Sequence, residues 1–415
     1  MLAAVAVGRT RISGALEGED VLRTAAALRA LGAAIVREGD GEYSVDGVGV
    51  GGLTESESVL DLGNSGTGAR LLIGLVATHP LTSFFAGDAS LSRRPMSRVT
   101  APLSRMGAAF VSRDGRLPLT CLGARMPIPI RETMGVPSAQ VKSAILLAGL
   151  NAPGETTVIE PARTRDHTEI LLRHFGAAVR IEETTTEEID ETKLSYAVSV
   201  VGQPELTARD VAVPGDPSSA AFPIVAALLA EDADVTIGNV GINPLRTGLY
   251  ETLREMGADI AFENQRQQGG EIVADIRAKS SRLRGVTVPA SRAPAMIDEY
   301  PILAVAASFA QGVTRMRGLQ ELRVKESDRL EATAAMLRGN GVTVEIEGDD
   351  LIVQGKTYVA GGAEVATHMD HRIAMAALML GLASDNPVRI DDSAFIATSF
   401  PGFVELMRAL GADLS

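Results

Sequence analysis

The chain of 415 residues has no tryptophan, a single cysteine, and only 5 tyrosines and 10 phenylalanines. The lone Cys121 excludes an intrachain disulfide framework and any multi-cysteine zinc or iron–sulfur site, and it suits the reducing cytoplasm, where we expect the protein. So few aromatic rings leave little surface on which nucleic-acid bases could stack. The 52 acidic residues against 39 Lys and Arg give a net charge of −13, which also argues against a nucleic-acid partner. An anionic ligand therefore needs a local basic cluster.

Long hydrophobic runs are missing as well. The apolar runs Tyr300 to Ala310 and Ala374 to Ala383 are far shorter than the roughly 20 residues of a membrane-spanning helix. We therefore predict a buried helix at each run and no membrane partner. Residues 1–14 have no basic segment before their short apolar run, which is unlike a secretory signal peptide.

Glycine is abundant, with 42 residues, and one glycine pattern recurs. A helix-like segment, a glycine and a strand-like stretch follow one another at Gly32, Gly107, Gly176, Gly257, Gly341 and Gly411. A glycine just past the last helical turn accepts the left-handed conformation that ends a helix. The spacing of roughly 70 to 85 residues has room for an α/β repeat of several elements. We predict six repeats in two domains, 1–212 and 213–415, because Pro214, Gly215 and Pro217 interrupt the chain there.

Two segments of the first half could bind an anion. Gly63, Gly66 and Gly68 lie in a turn that leads into an apolar helix, and backbone N–H groups at such a helix start attract anions. The spacing differs from a Walker loop and from a dinucleotide fingerprint, and a simple helix cap is the alternative. Arginine suits phosphate or carboxylate, although a solvated basic face is the commoner role of a cluster such as Arg93, Arg94 and Arg98.

Further polar residues precede predicted helices. Ser138 is either a helix N-cap or, with Gln140, a contact for a hydroxylated ligand. Lys325 and Arg329 lie near a helix start, with Glu326 beside them, and either bind an anion or form exposed salt bridges. Two further segments complete this set: Asp298 and Glu299 before an apolar helix, and the segment with His368, His371 and Arg372. We predict no metal there, because no other His or Cys group completes a site.

Seven segments together resemble one enzyme family, the EPSP synthases. They are, in order, GNSGTGAR, GDASLSRRPM, SAQVKSAILLAGL, TRDHTE, VPGDPSS, RVKESDRL and DHRIAM, and the resemblance runs from about Leu2 to the C-terminus. It implies an α/β fold (α+β in some schemes) of two similar domains. Each domain has three βαβαββ units, an inside-out α/β barrel, so that the chain is a six-fold pseudo-repeat with the active site in the cleft between domains.

The resemblance also implies the reaction and its residues. The enolpyruvyl group of phosphoenolpyruvate (PEP) moves to the 5-hydroxyl of shikimate 3-phosphate and phosphate is released, with no cofactor and in a protein that we expect to be a monomer. Asp298 would be the general base, with Glu326 and Lys325 as the other catalytic groups. Shikimate 3-phosphate would contact Ser138, Ala139, Gln140, Arg165, Asp298 and Lys325. PEP would contact Gly66, Arg94, Gln140, Arg329 and Arg372.

The chain departs from the family pattern at several places. Ala139 replaces a serine, and Thr398 stands where many members have a PEP-contacting lysine. Glyphosate-tolerant members have alanine where this chain has Gly66, so we hypothesise that its site accepts glyphosate. Members also begin with a P-G-x-K-S-x-S-x-R segment of which this chain has no counterpart. We therefore expect about 30 residues to be missing and the chain as written to fold poorly or to be inactive.

Two other functions stay open from the sequence. One is the related UDP-N-acetylglucosamine enolpyruvyl transferase, which is disfavoured because Cys121 lies outside a motif matching the loop cysteine of that enzyme. The other is a catalytically silent relative that binds a phosphorylated ligand without turnover.

Overall fold

The structure, a computed structural model, describes residues 1–185 and 194–415. The chain divides into two compact units. Unit 1 comprises Met1–Val213 and Gln268–Gly270, and unit 2 comprises Pro214–Gln267 and Glu271–Ser415. Each unit has its own cluster of buried apolar side chains. No helix within the described residues is both long enough and apolar enough to cross a membrane.

The strands of unit 1 form three four-stranded sheets. The first has the order β12-β1-β3-β2, with β1 Val7–Ser13, β2 Ala34–Gly39, β3 Glu42–Val48 and β12 Val211–Ala212. The second has the order β4-β5-β7-β6, with β4 Leu60–Asp61, β5 Thr82–Ala86, β6 Ala109–Ser112 and β7 Leu119–Leu122. The third has the order β10-β11-β9-β8, with β8 Arg131–Thr133, β9 Glu155–Glu160, β10 Val179–Thr184 and β11 Ser195–Val201.

Unit 2 also has three sheets within the described residues. The order β13-β15-β14 comprises β13 Asp234–Gly241, β14 Asp259–Gln268 and β15 Glu271–Lys279. The order β16-β17-β19-β18 comprises β16 Thr287–Val288, β17 Val313–Met316, β18 Thr343–Glu347 and β19 Asp350–Gln354. The last pair is β20 Glu364–Val365 and β21 Arg389–Ile390.

The four-stranded sheets share one topology. In each, a short edge strand pairs in parallel with a longer one, which pairs antiparallel with the last strand of a hairpin. Three of these sheets arise from a chain order of strand, helix, strand, helix, strand and strand. The predicted α/β fold of βαβαββ repeats is therefore confirmed, and the number of sheets in the described residues equals the number of predicted repeats.

The helices with the most apolar sequences lie inside each unit. Unit 1 contains α1 Glu19–Ala30, α2 Gly66–Val76, α3 Ser97–Arg105, α4 Ala139–Gly149 and α5 His167–His174. Unit 2 contains α6 Pro217–Leu229, α7 Gly248–Glu255, α8 Tyr300–Ser308, α9 Arg329–Gly339, α10 His371–Ala383 and α11 Phe403–Ala409. Helices α2 and α4 pack on each other, as do α6, α8 and α10, while outer strands such as β6 and β13 alternate between more and less exposed residues. In each unit the helices lie inside and the sheets lie outside, as in the predicted inside-out barrel. Helices α8 and α10 confirm the two predicted buried helices.

The recurring glycines end helices as the sequence predicts. Each follows the last residue of α1, α3, α5, α7, α9 or α11 by two positions, and its φ lies between 86° and 106°. Residues other than glycine rarely adopt this backbone conformation. In five of the six junctions an arginine three residues before the glycine donates from Nε to the carbonyl six residues further on, at 2.7 to 3.2 Å. These arginines are Arg29, Arg173, Arg254, Arg338 and Arg408.

A second set of glycines recurs where the last strand of a repeat passes a helix end. A methyl group at any of them would overlap a backbone carbonyl oxygen of the preceding helix end or its following turn. The carbonyls belong to Ala6, His79, Ala152 and Ala310, and the facing glycines are Gly47, Gly123, Gly202 and Gly355. The sequence analysis did not predict this contact, because it joins residues more than 40 positions apart.

Candidate active site

The glycine-rich segment of unit 1 begins the buried helix α2. Ser65 is the N-cap of this helix, and its hydroxyl accepts a hydrogen bond from the backbone N–H of Gly68 at 3.1 Å. Gly66 is buried at the first helical position, and Gly63 has a φ of 54° in the turn before it. The partial positive charge of a helix N-terminus favours an anion at this place.

Two guanidinium groups lie beside Gly66. A methyl group at Gly66 would be 2.9 Å from Arg94 Nη1 and 3.3 Å from Arg70 Nη1. Arg94 Nη2 donates to Asn64 Oδ1 at 2.8 Å, and Arg70 Nη1 donates to Gln140 Oε1 at 2.7 Å. The structure therefore brings Gly66, Arg94 and Gln140 together. It adds Arg70, whose only sequence signal is its place four residues after Gly66.

The first turn of α4 carries the next group of predicted residues. Ser138 is the N-cap, and its hydroxyl accepts a hydrogen bond from the N–H of Val141 at 3.4 Å. Ala139 and Gln140 follow as the first helical residues, and Gln140 Nε2 donates to Thr67 Oγ1 at 2.8 Å. Gln140 thus joins the starts of α4 and α2, and Gln140 and Thr67 are 73 residues apart in the sequence.

Arg165 lies in the short connection 161–166 between β9 and α5, and it is partly buried. The residue before it, Thr164, is buried, and its carbonyl oxygen accepts a hydrogen bond from Lys142 Nζ of α4 at 3.2 Å. Of the predicted basic cluster, Arg93 and Arg98 are exposed, whereas Arg94 is partly buried. Arg94 is therefore not part of a solvated basic face.

In unit 2, the acidic residue before α8 meets two cations. Asp298 is 9% exposed, and its Oδ1 accepts a hydrogen bond from Arg329 Nη1 at 3.1 Å. Lys325 Nζ lies 3.3 Å from the same oxygen. Two positive charges at this distance stabilise the negative charge of the Asp298 carboxylate. The three residues come from the connection before α8, the connection before α9 and the start of α9.

Arg329 is the buried centre of this group, with 1% of the residue exposed. Its Nε donates to Asp370 Oδ2 at 2.7 Å and its Nη2 to Asp370 Oδ1 at 3.3 Å, a bidentate pair. Glu326 forms an ion pair with Nη2. Burial acts to raise the pKa of Asp370, but the charge and hydrogen bonds of Arg329 outweigh it and hold the pKa below its usual value. Although burial opposes its charge, Asp370, Glu326 and Asp298 raise the pKa of Arg329.

Arg372 joins the same group from the start of α10. Its Nη1 donates to the backbone carbonyl of Asp298 at 3.4 Å and lies 3.6 Å from Glu299 Oε1. Glu299 also accepts a hydrogen bond from the Ser218 hydroxyl. Next to Arg372, His371 is partly buried, and burial together with the charges of Arg372 and Arg329 lowers its pKa to about 4. At neutral pH the imidazole is therefore uncharged.

The structure thus forms two groups of predicted residues, one in each unit. Asp298, Lys325, Glu326, Arg329 and Arg372 lie together in unit 2, and the sequence analysis missed Asp370, which pairs with Arg329. Asp370 is the N-cap of α10, and its place shortly before the apolar run Ala374 to Ala383 was its only sequence signal. Its Oδ1 accepts a hydrogen bond from the N–H of Arg372 at 3.0 Å.

The lone cysteine is a core residue of unit 1. Cys121 is buried on β7, and burial raises the pKa of its thiol to about 12. In residues 1–185 and 194–415, no group of three or more His, Cys, Asp or Glu side chains could hold a metal ion.

Comparison with known proteins identifies the family. A family model described as EPSP synthase (3-phosphoshikimate 1-carboxyvinyltransferase) matches residues 1–407. The 3-phosphoshikimate 1-carboxyvinyltransferase of Paramagnetospirillum magneticum is 63% identical over 417 residues, which cover 100% of this chain and 92% of the relative. That of Bradyrhizobium diazoefficiens is 60% identical and covers 100% of this chain and 87% of the relative.

A solved structure agrees in fold as well as in sequence. EPSP synthase from Acinetobacter baumannii superposes with a TM-score of 0.86 at 43% identity, over 99% of this chain and 92% of that chain. With the family model, the two relatives and this structure in agreement, the chain belongs to the EPSP synthase family.

Proposed function

We propose that this chain transfers the enolpyruvyl group of PEP to the 5-hydroxyl of shikimate 3-phosphate, giving EPSP and phosphate. The family model and the relatives at about 60% identity support this reaction over transfer to UDP-N-acetylglucosamine. The observation that carries the proposal is the Asp298 carboxylate held between Lys325 and Arg329, because the reaction needs a base for the attacking hydroxyl.

The proton transfers follow from the chemistry of the two substrates. The 5-hydroxyl oxygen forms a bond to C2 of PEP as its proton goes to Asp298, and a protonated second group gives its proton to the methylene carbon of PEP. In the resulting tetrahedral intermediate, the second group takes a proton back from the methyl carbon as the bond from C2 to the phosphate oxygen breaks, and phosphate leaves with the proton held by Asp298. Glu326, beside Arg329, is the second group that we assign to these proton transfers.

Two phosphorylated substrates require positive charge, and both units supply it. In unit 1, Arg94 and Arg70 lie at the start of α2, where the helix dipole adds to their charge. We assign shikimate 3-phosphate to Ser138, Ala139, Gln140, Arg165, Asp298 and Lys325. We assign PEP to Gly66, Arg94, Gln140, Arg329 and Arg372. These assignments explain how a chain with a net charge of −13 binds anions, because the cations are local.

The test of the proposal is phosphate release with PEP and shikimate 3-phosphate, by the wild type and by Asp298→Asn. We expect kcat of the variant to fall by about 10²- to 10⁴-fold, because an amide cannot accept the proton. The matched control is Asp234→Asn, which removes an exposed carboxylate paired with Arg277 at 2.6 Å on the outer strand β13. The control should keep the wild-type rate.

Two outcomes contradict the proposal. A folded wild type that binds shikimate 3-phosphate but releases no phosphate would be the silent binding relative. Full activity of Asp298→Asn would remove the general base from the mechanism.

The monomeric state and the cytoplasmic location stay predictions. Light scattering after size-exclusion chromatography tests the monomeric state.

A further inference from the structure

Unit 1 contains a cluster of buried charges that the proposed mechanism does not use. Lys142 of α4 and Glu169 of α5 are both 0% exposed, and Glu160 at the end of β9 is 2% exposed. Charged side chains are almost never buried to this extent unless they are paired. Burying these charges therefore costs free energy, and the contacts of the cluster indicate its role.

The ammonium group of Lys142 has three oxygen partners, two through hydrogen bonds and one through an ion pair. Nζ lies 2.7 Å from Glu169 Oε1, donates to Glu160 Oε1 at 3.1 Å, and donates to the backbone carbonyl of Thr164 at 3.2 Å. These partners come from β9, from α5 and from the connection between them. One lysine thus joins α4 to every part of the neighbouring β9–α5 segment.

Glu160 holds the same threonine from the other side. Its Oε2 accepts a hydrogen bond from Thr164 Oγ1 at 2.6 Å, and its Oε1 accepts one from the Thr164 N–H at 3.3 Å. The carbonyl, N–H and hydroxyl of Thr164 are therefore all occupied, and the next residue is Arg165. A second link between α4 and α5 is the hydrogen bond between the Ser143 and Thr168 hydroxyls, at 2.7 Å.

We infer that Lys142 and Glu160 of this cluster hold Arg165 in register with Ser138 and Gln140, with Glu169 only as a countercharge to Lys142, so that this part of unit 1 binds the phosphorylated acceptor. Lys142 lies one turn after Ser138 on the same helix, and its backbone N–H donates to the Ser138 carbonyl at 3.1 Å. The inference rests on the proposed function, because it takes shikimate 3-phosphate as the ligand of these residues.

The charge of the cluster favours a positional role over a purely stabilising one. Apolar side chains of similar volume often replace a buried ion pair with no loss of stability. Hydrogen bonds, however, have direction, and apolar contacts do not fix the orientation of the Thr164 peptide groups. Burial raises the pKa of Glu169 despite Lys142, and neither carboxylate oxygen of Glu169 has a hydrogen-bond partner of good geometry among the described residues. Glu160 is thus the glutamate with the directional contacts.

The first experiment compares two conservative variants, Glu160→Gln and Glu169→Gln. An amide at position 160 replaces one acceptor of the Thr164 contacts by a donor, whereas an amide at position 169 can still accept from Lys142. We expect Glu160→Gln to raise KM and the calorimetric dissociation constant of shikimate 3-phosphate by about tenfold, with kcat and KM of PEP nearly unchanged. Glu169→Gln should stay close to the wild type.

A second variant covers the case in which Glu160→Gln fails to fold. Lys142→Met combined with Glu160→Met removes this buried ion pair as a whole, and the remaining carboxyl of Glu169, whose pKa burial already raises, can stay protonated. We expect it to fold and to show the same selective rise in KM of shikimate 3-phosphate. The control is Arg292→Met, which breaks ion pairs with Glu251 and Glu255 outside both site groups. It should lower the melting temperature without changing either KM.

Each outcome decides the inference. An unchanged KM of shikimate 3-phosphate in folded Glu160→Gln or in the double variant overturns it. A fall in kcat and a rise in both KM values, in proportion to the loss of melting temperature, also overturns it, since a merely structural cluster would act in that way. A wild type that binds shikimate 3-phosphate without turnover overturns the proposed function alone, and the dissociation constants then decide the inference. A wild type that does not bind this ligand overturns both.

Discussion

The buried side chain of Arg329 orients three acidic side chains. Carboxylate oxygens of Asp298, Asp370 and Glu326 lie within 3.3 Å of its guanidinium nitrogens, and only 1% of the residue is exposed. A planar guanidinium presents five N–H donors in one fixed arrangement, so it can orient several carboxylates at once. Arg329, which we assign to PEP, thus also orients the proposed general base.

Gly66 is the residue at which a small change should alter ligand binding most selectively. The methyl group of Gly66→Ala would lie 2.9 Å from Arg94 Nη1 and 3.3 Å from Arg70 Nη1, so both guanidinium groups must shift. We expect KM of PEP to rise by about tenfold, and inhibition by glyphosate to weaken, because the cations of the pocket move. Steady-state kinetics with increasing glyphosate measures both effects.

The control for this substitution is Gly339→Ala near the end of α9. A methyl group there would have its nearest neighbour at 3.7 Å, an ordinary contact, so activity should not change. Equal glyphosate sensitivity of the wild type and Gly66→Ala would contradict the prediction.

His371 should make the free energy of unfolding depend on pH. Its pKa is lowered to about 4 by burial, Arg372 and Arg329, whereas a histidine in the unfolded chain titrates near 6.5. From pH 7 to pH 5 the unfolded chain therefore gains a proton that the folded chain does not bind, and the free energy of unfolding falls by about 1 to 2 kcal/mol. Urea unfolding at both pH values, followed by circular dichroism, should show a smaller fall for His371→Gln. An identical fall in the variant would refute this origin.

At the scale of the elements, the recurring helix end is the clearest link between sequence and structure. A glycine with positive φ ends the helix, and in five junctions an arginine side chain donates to a backbone carbonyl of the segment that follows, which is a strand in four of them. The junction at Gly107 has Ser104 in the place of the arginine, and this hydroxyl bonds instead within its own helix to the Thr100 carbonyl at 2.9 Å. The glycine is thus the common requirement, and the arginine is an addition.

The two recurring kinds of glycine should respond differently to alanine. Gly176 has no neighbouring atom within 4 Å of an added methyl group, so Gly176→Ala should cost only the backbone strain of φ 97°, about 1 to 2 kcal/mol. Gly123→Ala would place its methyl against the His79 carbonyl, so the backbone must move and the loss should be clearly larger. Urea unfolding of both variants gives the comparison. A loss for Gly123→Ala no greater than that for Gly176→Ala would contradict it.

At the scale of the whole molecule, the two apolar cores share no residue. Ile145→Val on α4 and Ile302→Val on α8 each remove one methylene from a fully packed position, which should cost about 1 kcal/mol. Because the two sites belong to different cores, the losses should add within about 0.5 kcal/mol in the double variant. Urea unfolding of the four proteins of this cycle measures the sum. A larger coupling energy would show that the cores respond to each other.

The sequence alone determined the local structure of this protein. It predicted the six helix-ending glycines, the buried helices α8 and α10, and the α/β class, because backbone conformation and apolar periodicity depend on residues close together in the chain. It also predicted the family, since seven short motifs in a fixed order are specific even when each is weak alone.

The tertiary structure decided which side chains meet. Arg70 and Gln140 are 70 residues apart, Arg329 and Asp370 are 41 apart, and Gly123 packs on the His79 carbonyl. Lys142 looks in the sequence like a polar position on an apolar helix, and only the folding of β9 and α5 onto α4 gives it two buried glutamates. Pairing of this kind depends on the order of strands and the packing of helices, and no local preference of the chain encodes either.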